Sequence, residues 1–132
     1  MSVVPSVIAI DHAAFDRLVM AEFPEAAAEL DAGERALLHI EMAAVARATS
    51  RVIEAGDVAE IARHLTLMEG VLTSAAPDVE NAVYVSYLEN VFLWDERPAF
   101  VEARKTLPPR LARGLFELEG HFAMLASYAA DT

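Results

Sequence analysis

The stretch that decides the fold is Asp78–Trp94, DVENAVYVSYLENVFLW. Val79, Val83, Val85 and Val91, with Tyr84 and Tyr87, give it the local composition of a strand. Two observations make it a helix instead. It runs about 16 residues without a turn, longer than a usual strand. Ala82, Val85, Leu88 and Phe92 also follow the helical period better than a period of two. Read as a strand, the segment would force a mixed fold. Read as a helix, it leaves the whole chain all-α.

Upstream, Pro77 breaks the chain and Asp78 is expected to cap this helix. Before it, Asp57 and Glu60 form a capping pattern, and Val58–Ser74 carries Ile61, Leu65, Met68 and Leu72 at helical spacing. Gly56 is a natural residue just past a helix end, since it accepts the left-handed conformation. The preceding helix should run from about Gly33 to Ala55, started by an Asp31/Glu34 capping pattern. Its apolar residues cover more than one face, so it should be central. These two helices should form an antiparallel αα-hairpin. Further upstream, Asp11 reads as the cap of a helix holding Phe15, Leu18 and Val19, which Pro24 stops or restarts.

Downstream, Asp95–Pro98 reads as a turn, Pro98 as the first residue of a short helix to Lys105, and Leu107–Pro109 as a second break. A last helix should run from Pro109 to about Tyr128, with Leu111, Leu115, Phe116, Leu118, Phe122, Leu125 and Ala126 inward and a frayed tail AADT. The expectation is one all-α domain over residues 1–132. It has five main helices in antiparallel hairpins, forming a compact bundle or a short curved helical stack.

Composition bounds the function. The chain has 132 residues, 55% hydrophobic, with no cysteine. Disulfide frameworks, cysteine zinc sites and thiol nucleophiles are therefore excluded. No apolar run reaches the roughly 20 residues of a membrane span. The start, MSVVPSVIAIDHAAFDRL, has no basic region before its apolar stretch, so neither a signal peptide nor an anchor is read there. A cytoplasmic location is the expectation. The net charge is −11, which disfavours nucleic acid and anionic membranes and favours a basic protein partner. Residues 1–96 hold 17 acids and 5 bases, for −12, and residues 97–132 hold 5 bases and 4 acids, for +1.

Chemistry-bearing motifs are sparse. The glycines stand singly, so no phosphate loop is present. No serine sits in a nucleophile elbow, and Ser86 in mid-helix is expected to bond back to a carbonyl one turn earlier. Glu60–His64 and Glu117–His121 are i,i+4 pairs, each on one helix face. A metal site drawing His39, His64 and His121 from three helices is the alternative to a non-enzymatic reading. No cofactor is expected. Glu89, crowded by Leu88, Val91 and Phe92, reads as a buried carboxylate paired with an arginine or a backbone amide. Trp94 is expected to anchor the core, with an interface anchor as the alternative. Tyr84, Tyr87, Glu89, Trp94, Asp95 and Glu96 are the candidate partner-binding residues.

The run NAVYVSYLENVFL, followed by WDERPAF and LPPRLARGL, resembles a loose group of small bacterial helical proteins. In these an N-x-x-x-x-S-[FY]-L-E block precedes a short loop and a final L-P-x-x-L helix. The resemblance covers residues 78–118. It implies a toxin-immunity or uncharacterised protein, with Asn81, Ser86 and Glu89 as structural signature residues and no catalytic residue. The expected function is thus a protein-binding module of immunity or antitoxin type that masks a basic toxin domain. Two alternatives stand beside it: a small metal-binding or enzymatic bundle using His and Glu, and a self-associating module, with a homodimer possible.

Overall fold

The computed structural model describes residues 8–130. The sequence reading of residues 1–7, and of the tail at Asp131 and Thr132, lies outside the described residues. The chain is all-α. In order come α1 (His12–Glu22), α2 (Pro24–Ala28), α3 (Ala32–Arg35), α4 (Leu38–Glu54), α5 (Val58–Ser74) and α6 (Pro77–Ala82). A π-helical segment (Val83–Leu88) then leads through α7 (Glu89–Val91) to α8 (Pro98–Arg104) and α9 (Pro109–Ala130). Among the described residues the only extended pairing is an isolated bridge of Ile10 with Ala75. It ties the start of α1 to the end of α5 through Ile10 N–H to the Ser74 carbonyl at 2.7 Å and Ala76 N–H to the Ile10 carbonyl at 2.9 Å.

The elements fuse into a bundle around α4. This helix buries Met42, Ala44, Val45, Ala46, Ala48 and Ile53 and touches α2, α5, α6, the π segment and α8. Its many alanines let neighbours approach closely on several sides, which is why one helix can serve as the axis. Phe15, Val19, Phe23, Leu65, Met68, Tyr87, Leu88, Phe100 and Leu115 close around it. Cores of this kind derive most of their stability from apolar burial.

Local signals explain most of the boundaries. Asp11 accepts from Ala14 N–H at 2.8 Å and Asp57 from Glu60 N–H at 3.2 Å. Asp31 and Glu34 form a full reciprocal capping box. Gly56 sits at φ +68° in the α4–α5 turn, where a side chain would be strained. Glu69 of α5 accepts from Arg110 N–H at 3.1 Å and Leu111 N–H at 3.0 Å, so it caps α9 from another helix.

Four expectations need correction. The helix foreseen from Gly33 to Ala55 is two helices, split where Leu37 is extended at φ −106° and ψ 103°. No breaker marks the split; it lets Arg35 turn back to Asp16 while α4 enters the core. Asp78 is not the cap of α6, because Pro77 takes the first position and Ala76 the cap. Helix α9 runs straight through Ala129 to Ala130. Finally, α9 does not bury the stripe foreseen for it: only Leu111, Gly114 and Leu115 are buried, while Phe116 and Leu125 are exposed. Among the described residues no helix is long and apolar enough to cross a membrane.

Candidate functional site

The Val- and Tyr-rich stretch carries the least regular backbone in the bundle. Over Val83–Leu88 the helix widens, and Glu89 N–H reaches the Tyr84 carbonyl, five residues back. Such π turns insert one residue into a helix and recur at functional sites. The extra residue re-aims two polar side chains. Ser86 turns its hydroxyl to His39 Nδ1 of α4, 2.7 Å away, rather than back to a carbonyl of its own helix. Its carbonyl accepts from Asn90 Nδ2 at 2.8 Å. Tyr87 points fully into the core, where its hydroxyl meets Thr49 Oγ1 at 2.9 Å, and Thr49 meets His64 Nδ1 at 2.9 Å.

That chain of Tyr87, Thr49 and His64 is buried throughout. Each polar group has a partner, as burial requires. Burial pushes the Tyr87 hydroxyl well above its ordinary range. His64 is pushed down, first by burial and then by the Arg63 guanidinium, against the pull of Glu60 and Glu25. It is therefore a neutral imidazole, wedged edge-on against Phe23 at 4.9 Å.

A second polar group lies where α1, α3 and α4 meet. Glu41 is fully buried. One carboxyl oxygen lies 3.1 Å from His12 Nε2. The other has no hydrogen-bond donor, and neither does Asp16 Oδ1 close by. Arg35 Nε lies 3.3 Å from Asp16. Burial, then the hydrogen bond and charge of Asp16, push Glu41 up to about 8, with Arg35 opposing. A proton on Glu41 resolves the two carboxyl orphans together, because its O–H then donates to Asp16; Arg35 Nε, the third buried atom here without a hydrogen bond, stays an ion-pair neighbour of Asp16. In front of this pair opens a groove of about 320 Å³ lined by His12, Ala13, Asp16, Ala32, Arg35 and Ala36.

The sequence had placed the buried carboxylate at Glu89. The structure puts Glu89 half-exposed on the rim of the π segment and buries Glu41 instead. A spacing signal existed: Glu41 falls on one stripe with Ala44, Val45 and Ala48. The other candidates are scattered. Tyr87 is core, and Tyr84 lies half-buried against Gly114 of α9. Trp94 is not a core anchor: it is 55% exposed, in the left-handed region at φ 53°, edge-on to Phe122 at 5.8 Å. Asp95 is held by Arg97 at 2.7 Å, and Glu96 is exposed. The three histidines of the metal reading do not converge. His39 joins Ser86, His64 joins Thr49, and His121 stacks on its neighbour Phe122. Among the described residues no group of His, Asp and Glu is arranged to hold a metal ion.

Nor is the acidity one placed patch. Asp11, Asp31 and Asp57 cap helices and Glu69 caps α9. Glu29 pairs with Arg47 at 3.2 Å and Arg51 at 2.8 Å, and Glu54 pairs with Arg97 at 3.3 Å. Much of the excess acid therefore stands at helix N-termini, where the dipole stabilises it.

Fold and polar interior define an all-α bundle organised on a central helix and a π-helical partner. The chain belongs to the DUF7674 family, a domain of unknown function whose model matches residues 17–121. That span takes in α2 through α8 with most of α1, and it ends within α9. No curated protein and no solved structure matches the chain.

Proposed function

We propose that this protein is a non-enzymatic protein-binding module of immunity or antitoxin type, which masks a basic toxin domain. One observation carries the reading. The π segment is locked to α4 by the Ser86–His39 bond, and this leaves Val85 exposed on one side and Leu37 and Ile40 exposed on the other. Apolar side chains held outward on rigid helices, with the half-exposed Glu89 on the rim, suit a protein contact. The −11 field speeds encounter with a basic partner. The resemblance of the Asn81–Glu89 block to small bacterial helical proteins of the toxin-immunity or uncharacterised type is in keeping with the same partner class.

The test is co-expression with the product of the neighbouring gene. A stable complex and rescue from that product's toxicity are expected, with Val85→Arg and Ile40→Arg weakening binding at least tenfold. Absence of both binding and rescue would overturn the proposal.

A second reading, a small enzyme, is favoured by Glu41 buried behind the His12–Asp16–Arg35 groove with its carboxyl pushed up to about 8, since carboxyls with raised pKa serve as general acids.

A further inference from the structure

Helix α9 is 22 residues long, about 33 Å at 1.5 Å per residue. Its buried residues lie near its start, at Leu111, Gly114 and Leu115. The stripe that contains them does not stop there. Leu111, Leu115, Leu118, Phe122, Leu125 and Ala129 are spaced four, three, four, three and four residues apart. That is the a/d repeat by which two helices wrap around one another. The lower part of the seam packs on the body through α5 and the π segment. The upper part outruns it. Leu118 and Phe122 are half-covered, while Leu125 on the seam is 48% exposed and Tyr128 on its flank 78%. Trp94 extends the apolar surface to one side.

Charge indicates what covers this face. From Gly120 to Ala130 no residue carries a formal charge when histidine is neutral. The carboxylates of the turn that precedes it are engaged: Glu119 with Arg104, and Glu117 with Arg113 at 3.8 Å. A basic partner would find no acid within these turns to recognise. A second copy of this chain, with a net charge of −11, would be repelled over most other surfaces, yet here two copies meet without opposing charge. Leu125, Tyr128 and Trp94, with the half-covered Leu118 and Phe122, offer on the order of 500 Å² per chain, the size of a weak interface rather than a permanent one. A twofold pairing uses the same patch on both sides, which suits a uniform apolar seam.

We propose that this protein is a homodimer in which the α9 seams of two copies, from Leu118 onward, pair as a short two-helix coiled coil. The pairing does not depend on the α4–π contact face proposed above.

Sedimentation at about 100 µM, where a weak dimer would already be populated, should give twice the 14.3 kDa chain mass. Leu125→Glu sets like charges in the seam and should return the mass to 14.3 kDa with an unchanged far-ultraviolet spectrum. The absence of native cysteine allows a direct check of contact. Under oxidation, at least one of Leu118→Cys, Phe122→Cys and Leu125→Cys should cross-link two chains, while Val58→Cys, exposed on the α4–α5 turn, should not. A monomeric wild type, or a dimer that survives Leu125→Glu, would overturn the proposal. Variants of Val85 and Ile40 should leave the mass unchanged, so loss of partner binding and loss of the dimer are separable.

Discussion

Glu41→Gln should stabilise this protein, and more so as pH rises. The carboxyl is fully buried, and burial with the adjacent Asp16 lifts it from 4.5 to about 8. In the unfolded chain it titrates near its ordinary value. Between these limits the folded state holds a proton that the unfolded state has released. Stability contributed by this group is therefore complete below pH 4.5, falls as pH rises, and is lost by about pH 8. Each pH unit between the two titrations is worth about 1.4 kcal/mol. At pH 7 the wild type has lost at most about 3.5 kcal/mol relative to acid conditions. Glutamine keeps the two contacts without titrating: its carbonyl can accept from His12, and its amide can donate to Asp16. Urea unfolding of both proteins at pH 5, 6, 7 and 8 isolates the effect, since the contributions of groups remote from Glu41 cancel in the difference. The variant should match the wild type near pH 5 and exceed it by about 2–3 kcal/mol at pH 7. A difference that does not change with pH, or a variant less stable than the wild type at pH 8, would refute the protonated Glu41–Asp16 pair.

Other outcomes follow from the packing. Gly114→Ala should destabilise by about 1–3 kcal/mol despite its better helix propensity, because the new methyl would lie 2.6 Å from the Tyr84 ring and 3.1 Å from Leu88 Cδ1; combining it with Tyr84→Ala should recover part of the loss in urea unfolding. Tyr87→Phe removes the hydroxyl that reaches Thr49 and should cost about 1–3 kcal/mol by the same measurement. The His64 ring should titrate below the ordinary histidine range in an NMR pH series, since burial holds it neutral; the stability it supports is present at neutral pH and falls as pH drops below 6.5 through its lowered pKa. Trp94→Gly should be more stable than Trp94→Ala by about 1 kcal/mol, because the backbone there is left-handed at φ 53° and only alanine retains the Cβ penalty; equal stability of the two variants would show that this turn is unstrained.

The helices were legible from the chain because their signals are local. A capping aspartate, a proline at a first position or a glycine past a helix end each acts within a few residues. The α5 limits, the α4–α5 turn and the Pro98 start accordingly fall where the sequence puts them. A helix over this stretch, Asp78–Trp94, was legible too, because its apolar period outweighed the β-propensity of its valines and tyrosines, but it ends at Val91, and Phe92–Trp94, read as its last turn, leave the helix. The π turn inside it was not. It depends on Ser86 finding His39 and Tyr87 finding Thr49, partners 47 and 38 residues away in the chain. The split at Leu37 has the same origin, since it serves an Arg35–Asp16 contact that no local residue announces.

The candidate site divides in the same way. Sequence alone determined an acidic, cysteine-free, helical chain and the identity of every polar group available to it. It could not determine which carboxyl is buried. Glu41 and Glu89 each have apolar neighbours in the chain, and only packing against α1 and α3 puts Glu41 inside beside Asp16 and leaves Glu89 on the rim. Nor could it determine which half of α9 is covered, because one uninterrupted apolar stripe runs past the point where the body ends. Periodicity records that a face wants a partner. Whether that partner is the chain's own core or another molecule depends on where the other helices stop, and only the tertiary structure decides that.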